Sequence, residues 1–481
     1  MILAVLRGHD FTDARLVCND WCAAGYRIPN IWWMVYQDES ECLCDVQKRS
    51  SRLSAKGCAV GIDLNDACDQ PLTELDLRSV RKLKFDHLNQ PLIGLDLGNL
   101  HELWLGASFN QSLVGLDLRN VKEWQIGDNF EQPLVGLDLS NLRKLRIGDR
   151  FNQPLIGLDL SNLESLVLGN CFDQPLIGLD LNNLHELWLG ARFSQPLVGL
   201  DLRNLQHVFI GKFFDQPLIG LDLSNLESLV LGNFFDQPLI GLDLSNLYKL
   251  WLGVSFNQPL IGLDLSNLES LALGNFFDQP LIGLDLSNLR ELELGHGFNQ
   301  PLIGLDLSNL ESLALGNFCD QPLIGLDLGN LMRLRLGHGF NHPLVGLDLS
   351  NLRELELDHG FDQPLVGLDL RNVKELRIGD FFDRPLVGLD LRNVKELQIG
   401  YSFDEPLVGL DLSNVIKLAL GHRFNQPLVG LDLRNVIKLA LGDNFDQTLV
   451  GLDLGNLRYL VSSKTVLGLD LSNVKHSTLV V

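Results

Sequence analysis

The stretch Phe256–Asn275 reads FNQPLIGLDLSNLESLALGN, and close copies of it recur every 21 residues through most of the chain. The proline slot returns at Pro133, Pro154, Pro175 and Pro196 and so on to Pro427, with Ser112 and Thr448 standing in it in two copies. Pro71 lies twenty residues before Pro91, one short of the period, and a compressed last copy runs from Val466 to Val474. About nineteen units result. A fixed period of this length overrides the two to four domains that 481 residues would ordinarily suggest, because a solenoid grows by stacking units on one continuous core.

Within one unit the apolar positions are Leu155, Leu158, Leu160, Leu163, Leu166, Leu168 and Phe172. They form two LxxLxL arms, and the alternation inside each LxL has the period of a strand. One proline and two glycines punctuate each unit, which leaves little room for a helix. The pattern predicts two short strands per coil joined by tight turns, with coils stacked as parallel strands at ~4.8 Å. The fold class expected is therefore a repeat solenoid, a leucine-rich-repeat-like parallel β array of about nineteen 21-residue coils. An all-β parallel β-helix is the competing architecture.

Three columns follow from the period. Phenylalanine fills sixteen of seventeen slots from Phe109 to Phe445, Cys319 being the exception, and reads as a core spine. Asparagine closes the LDLS, LDLR, LDLG or LDLN phrase at nineteen positions from Asn99 to Asn473, as a buried amide would to satisfy backbone groups of neighbouring coils. Aspartate occurs once per coil, twenty times from Asp76 to Asp470. Carboxylates stacked at strand spacing repel unless compensated. Bonds to the following turn, as in an Asx turn, or arginines such as Arg119, Arg203, Arg371, Arg392 and Arg434 would compensate them. A cation-associated or partner-binding role for the column stays open beside this one.

Copies within one chain also show which positions the fold does not dictate. PLxGLDLxN hardly varies, whereas the residue inside the second LxL holds Trp188, Phe209, Trp251, Arg335 and Arg377, among others. Strand alternation points this slot away from the leucine core. The five residues named mark the candidate target-binding face, and the alternative is drift at a tolerant surface position.

Charge narrows the partners. The net charge is −23, of which −2 arises before residue 67 and −21 after it. Such a surface repels phosphate backbones and anionic membranes, so neither nucleic acid nor membrane is an expected partner. Six of the eight cysteines precede the regular array, and Cys171 and Cys319 stand too far apart in a stack to pair, which fits a reducing compartment. MILAVL is too short for a signal peptide and no run reaches transmembrane length, so a cytoplasmic protein is expected.

Chemistry-bearing motifs are missing. There is no phosphate loop, nucleophile elbow or HExxH, and the expectation is a protein that is not an enzyme, with no catalytic residue, cofactor or metal. His338 and His359 fall in adjacent coils and could approach each other, without a converging second pair of ligands.

The array, with FNQPL before LALG or LELG, resembles the FNIP repeat, a relative of leucine-rich repeats. Residues 2–33 resemble part of an F-box: ILAVL its apolar helix, DFTDARLVCNDW its core, and RIPNIWW its closing segment. Leu16, Val17 and Trp21 make one helical stripe there, over which Trp32 would close after Pro29. These four are the expected adaptor-binding residues. The resemblance implies a non-catalytic substrate-recognition subunit of a Skp–cullin–F-box ubiquitin ligase, with a Skp-type adaptor and an unknown protein target as partners. It places that subunit in the cytoplasm, the host cell's if the chain is viral. The alternative is an interaction scaffold whose N-terminal segment only caps the solenoid. The organisation expected is a partial F-box-like helical segment (1–45), a linker and N-terminal cap (46–67), the solenoid (68–460), and a degenerate last repeat with a C-terminal cap (461–481).

Overall fold

A computed structural model describes residues 32–36, 43–54, 59–64, 72, 75–462 and 476–479. Leu16, Val17 and Trp21 lie outside the described residues. The chain is a parallel β-solenoid, and it divides into two compact units, Met1–Gln237 and Pro238–Val481.

In the first unit, β1 (Trp32–Tyr36) pairs in parallel with β2 (Ala59–Leu64), and β2 pairs in parallel with β3 (Val80–Phe85). Helix α1 (Leu43–Ser54) lies between β1 and β2 in sequence and packs on both, burying Val46 and Ser50. Gln47 of this helix accepts the backbone N–H of Asp76 at 2.8 Å, tying α1 to the first regular coil. From Glu102–Trp104 to Ser228–Val230, each coil then contributes one three-residue strand. The second unit continues from Lys249–Trp251 to His476–Leu479 with strands of three or four residues, the longer ones including Arg333–Leu336 and Glu396–Ile399.

Register reproduces the spacing of the sequence. Lys82 faces Glu102, an offset of twenty, and Glu102 faces Glu123, an offset of twenty-one. At the far end Tyr459 faces His476, an offset of seventeen, which is the compressed last coil.

One part of the coil differs from expectation. Only the second arm is a strand; the LIGLDL arm is turns. Leu158 donates its N–H to the carbonyl of Leu155 at 3.1 Å, and Leu163 donates to Leu160 at 2.9 Å. Gly157 between the first pair has φ +94°, the left-handed value that the third residue of a type II turn requires. Alternating leucines here face inward from successive bends rather than from an extended strand.

Core packing follows the columns. The phenylalanine rings are fully buried and stack coil on coil, for example Phe151 on Phe172 with centroids 6.1 Å apart and planes within 1°. Burying each such ring contributes about 1.5–3 kcal/mol. The second glycine of each unit serves close approach. A Cβ on Gly169 would fall closer than 3.0 Å to the carbonyl oxygen of Gly148 in the coil before. Asp86 and Asp358 fill this slot in two coils, each directly after a strand that runs up to it, Val80–Phe85 and Glu354–Leu357.

The asparagine column corrects the expectation of a buried amide. Asn162 is exposed, and its Nδ2 donates to the carbonyl of Ser140 in the preceding coil at 2.7 Å. A second ladder runs beside it. Asn152 Oδ1 accepts the N–H of Asp173 at 2.9 Å and the amide of Gln174 at 3.2 Å. Asn and Asp each supply the acceptor oxygen this ladder needs, which is why they exchange freely at the slot.

Candidate protein-binding face

The outward face of the three-residue strands carries the variation. In each three-residue strand the central residue is buried and its neighbours point out, as with Leu187 between Glu186 and Trp188. Parallel pairing in register therefore lines up the variable slot into a row. In the first unit this row contains Val167, Trp188, Phe209 and Val230 on four consecutive strands. Trp188 and Phe209 are 46% and 39% exposed, and their rings stack with centroids 5.2 Å apart and planes 19° from parallel. A preformed aromatic pair has little side-chain freedom left to lose on binding.

A second aromatic pair stands at the turn that follows. Phe213 and Phe234 are exposed and stacked at 5.3 Å, with the Lys212 ammonium 5.2 and 5.7 Å from their rings. The signal for it is present as FF doublets: the 21-residue period assigns the second Phe to the spine, so the first must face out.

In the second unit, Trp251 is exposed with the Lys249 ammonium 3.6 Å over its ring, and its indole N–H donates to Ser270 Oγ at 3.3 Å. Further along the same row, Arg335 and Arg377 are not free cations. Arg335 pairs with Glu356 at 2.8 Å, and Arg377 lies 3.1 Å from Glu375 and 3.9 Å from Glu356. These charges satisfy one another on the open face, beside a shallow depression of about 240 Å³. A more apolar depression of about 400 Å³ follows it, floored by Ala419 and Ala440 and walled by Tyr459 and Val461. Trp32 is the first residue of β1 and pairs with Ala59.

The aspartate column is held locally. Asp159 Oδ1 accepts the N–H of Ser161 at 3.2 Å and its hydroxyl at 2.7 Å. Where arginine replaces serine, the pair becomes a two-point contact, as between Arg203 and Asp201. The serine hydroxyl and N–H hold the carboxyls of Asp264, Asp285 and Asp306 below the ordinary carboxylate range, and Arg78 holds that of Asp76 at about 2. Local hydrogen bonds of this kind recur along the column.

Among the described residues no group of three or more His, Cys, Asp or Glu side chains is placed to hold a metal. His338 meets His359 edge-on at 5.8 Å, and His359 Nδ1 lies 3.0 Å from Asp380. Cys171 and Cys319 are free thiols, and burial pushes Cys319 up to about 11. No described helix is long and apolar enough to cross a membrane.

A constant core that presents one varied residue per strand defines the class: a leucine-rich-repeat-like parallel β-solenoid of about nineteen coils. No protein-family model matches the chain, and no curated protein matches it in sequence. Among solved structures it is similar to the crystal structure of the TLR13–ssRNA13 complex, with a TM-score of 0.45 and 16% identity over 87% of this chain and 79% of that one.

Proposed function

We propose that the chain is a non-catalytic protein-binding solenoid whose target lies across the strand face, anchored on Trp188 and Phe209. The observation that carries this reading is the exposed, stacked aromatic pair set in the row Val167–Val230 on the strand face, apart from the buried phenylalanine spine. Aromatic anchors of this kind dominate binding energy at protein interfaces. The mechanism is positioning: a rigid row of side chains holds a partner in place and no bond is made or broken.

The finer reading is a substrate receptor of a Skp–cullin–F-box ubiquitin ligase, acting in the cytoplasm. It rests on the F-box-like phrase of residues 2–33, with Leu16, Val17, Trp21 and Trp32 as adaptor contacts. Co-purification of the full chain with a Skp-type adaptor, lost in Trp21→Ala, is the expected result. Absence of any association in the unmodified chain overturns this reading while leaving the strand-face reading intact.

A specific observation favours the scaffold alternative for the N-terminal segment. β1 pairs with β2 in parallel, so the segment that contains Trp32 extends the sheet and covers the edge of the next strand. A cap of that kind predicts aggregation on deletion of residues 1–45, whether or not an adaptor is present.

A further inference from the structure

The PLIGLDLSN arm carries a feature that the strand face does not use. Its isoleucine or valine, the second residue of the type II turn, stands exposed in every coil from Ile93 to Val450. In the second unit the six coils from Pro238 to Asn351 form an unbroken run of one kind. Their arms contain no lysine or arginine, so each presents one aliphatic side chain and one aspartate and no cation. From Ile240 to Val345 the aliphatic residues are 43–48% exposed, bordered by mostly exposed prolines. Each leaves roughly 80 Å² open, which makes a continuous patch of roughly 500 Å², a size at which exposed apolar surface usually has a partner.

The parallel row of aspartates, Asp243 to Asp348, sets the chemistry of that partner. Asp243, Asp264, Asp285 and Asp306 each take two hydrogen bonds from the following serine, and both fall on Oδ1. The carboxylates therefore stay exposed, with Oδ2 turned away from the serine. In three later coils of the same unit, arginine occupies the serine slot and closes on the aspartate: Arg371 on Asp369, Arg392 on Asp390 and Arg434 on Asp432, at 2.6–2.8 Å. The uncovered run thus ends, on its C-terminal side, at Arg371. Carboxylates repeated at coil spacing along a wet surface repel one another, and a cationic occupant would relieve this.

Taking the apolar row and its acidic border together, we propose that the arm of residues 238–351 docks a basic amphipathic helix, its aliphatic side chains on the Ile240–Val345 row and its lysines or arginines on the Asp243–Asp348 row. Geometry favours a helix lying along the row. Coils step by ~4.8 Å and a helix rises ~5.4 Å per turn, so residues at i, i+3 or i+4, and i+7 meet successive coils. Six coils span about 24 Å, the length of about 16 helical residues. A second copy of this chain would bring acidic row against acidic row, and anionic lipid would be repelled in the same way.

The test uses the full chain and a fluorescent 18-residue peptide of leucine and lysine with helical amphipathic spacing, followed by anisotropy. The triple change Ile261→Ser, Ile282→Ser and Ile303→Ser should weaken binding at least tenfold. The same change at Val366, Val387 and Val429, in the coils of Arg371, Arg392 and Arg434, should shift it less than twofold. Asp264→Asn with Asp285→Asn and Asp306→Asn should weaken binding and flatten its salt dependence. Circular dichroism of each variant confirms that the solenoid is retained. Equal effects of the two serine triples, equal binding of a leucine–glutamate peptide, or no binding at all overturns the proposal. So does sedimentation showing a dimer that the isoleucine triple dissolves, because the row is then occupied by a second copy.

Discussion

The carbonyl oxygen of Gly148 occupies the space that a Cβ on Gly169 would need, whereas a Cβ on Gly157, twelve residues earlier in the same coil, would meet nothing within 4 Å. The two glycines are required for different reasons. Gly169 permits the backbones of successive coils to approach; Gly157 permits a φ of +94°. Gly169→Ala should therefore cost about 3 kcal/mol or more, since backbone must move. Gly157→Ala should cost about 1–2 kcal/mol of conformational strain alone. Urea midpoints of the two variants, compared with the parent, check the order. A larger loss at Gly157 would mean that coil spacing is softer than the packing implies.

Cys319 interrupts the spine between Phe298 and Phe340, in a scaffold that otherwise holds a ring at this position. Cys319→Phe should fill the missing layer and raise stability by about 0.5–2 kcal/mol. The reverse change, Phe298→Cys, should lower it by about 3 kcal/mol through the cavity it leaves. Thermal or urea unfolding distinguishes these. Destabilisation by Cys319→Phe would show that the neighbouring coils have closed around the smaller side chain.

The aspartate column gives a pH dependence with a definite sign. Asp264, Asp285 and Asp306 have folded-state carboxyl values below 3.8, first through the serine hydroxyl and then through its N–H. A group depressed on folding contributes stability that is present above its unfolded value and lost as pH falls through the folded one. Stability of the parent should therefore drop as pH falls below about 4, relative to Ser266→Ala with Ser287→Ala and Ser308→Ala. The gap between parent and triple variant should be widest at neutral pH and close toward pH 2. Urea midpoints across pH 2–7 test this, and a constant gap would mean that the hydroxyls do not stabilise the carboxylate form.

Much of the fold is legible in the amino-acid sequence alone. The 21-residue period sets the coil, the spine, the outward slot and even the short first and last spacings, because stacking imposes the same environment on the same position in every copy. Less is legible where one pattern has two geometric solutions. LxL in LIGLDL alternates like a strand, yet Gly157 turns it, so the inward leucines come from bends. Asn162 reads as a buried amide because it never varies, but an exposed side chain bridging to Ser140 is just as constrained. The pairing of Arg335, Glu356 and Arg377 is written in their column as alternating charge, since residues 21 apart face one another across the sheet. The exposed Ile/Val row is hidden for a simpler reason: aliphatic side chains are expected inside, and only the turn at Gly157 sends Ile156 out.

Trp188 and Phe209 are exposed, so their removal should separate binding from folding. Trp188→Ala or Phe209→Ala should change unfolding stability by less than about 1 kcal/mol each, and a double-mutant cycle should give a coupling of about 0.5–1.5 kcal/mol for the stacked pair. Capture of a target by the strand face should fall by tenfold or more in either variant, because an anchor in the centre of an interface carries a large share of its energy. Arg335→Ala should behave differently. It leaves Glu356 with its longer contact to Arg377, and on an open face the loss of the ion pair should stay below about 1 kcal/mol in stability. Equal binding by the parent, Trp188→Ala and Phe209→Ala would move the recognition surface off this row altogether.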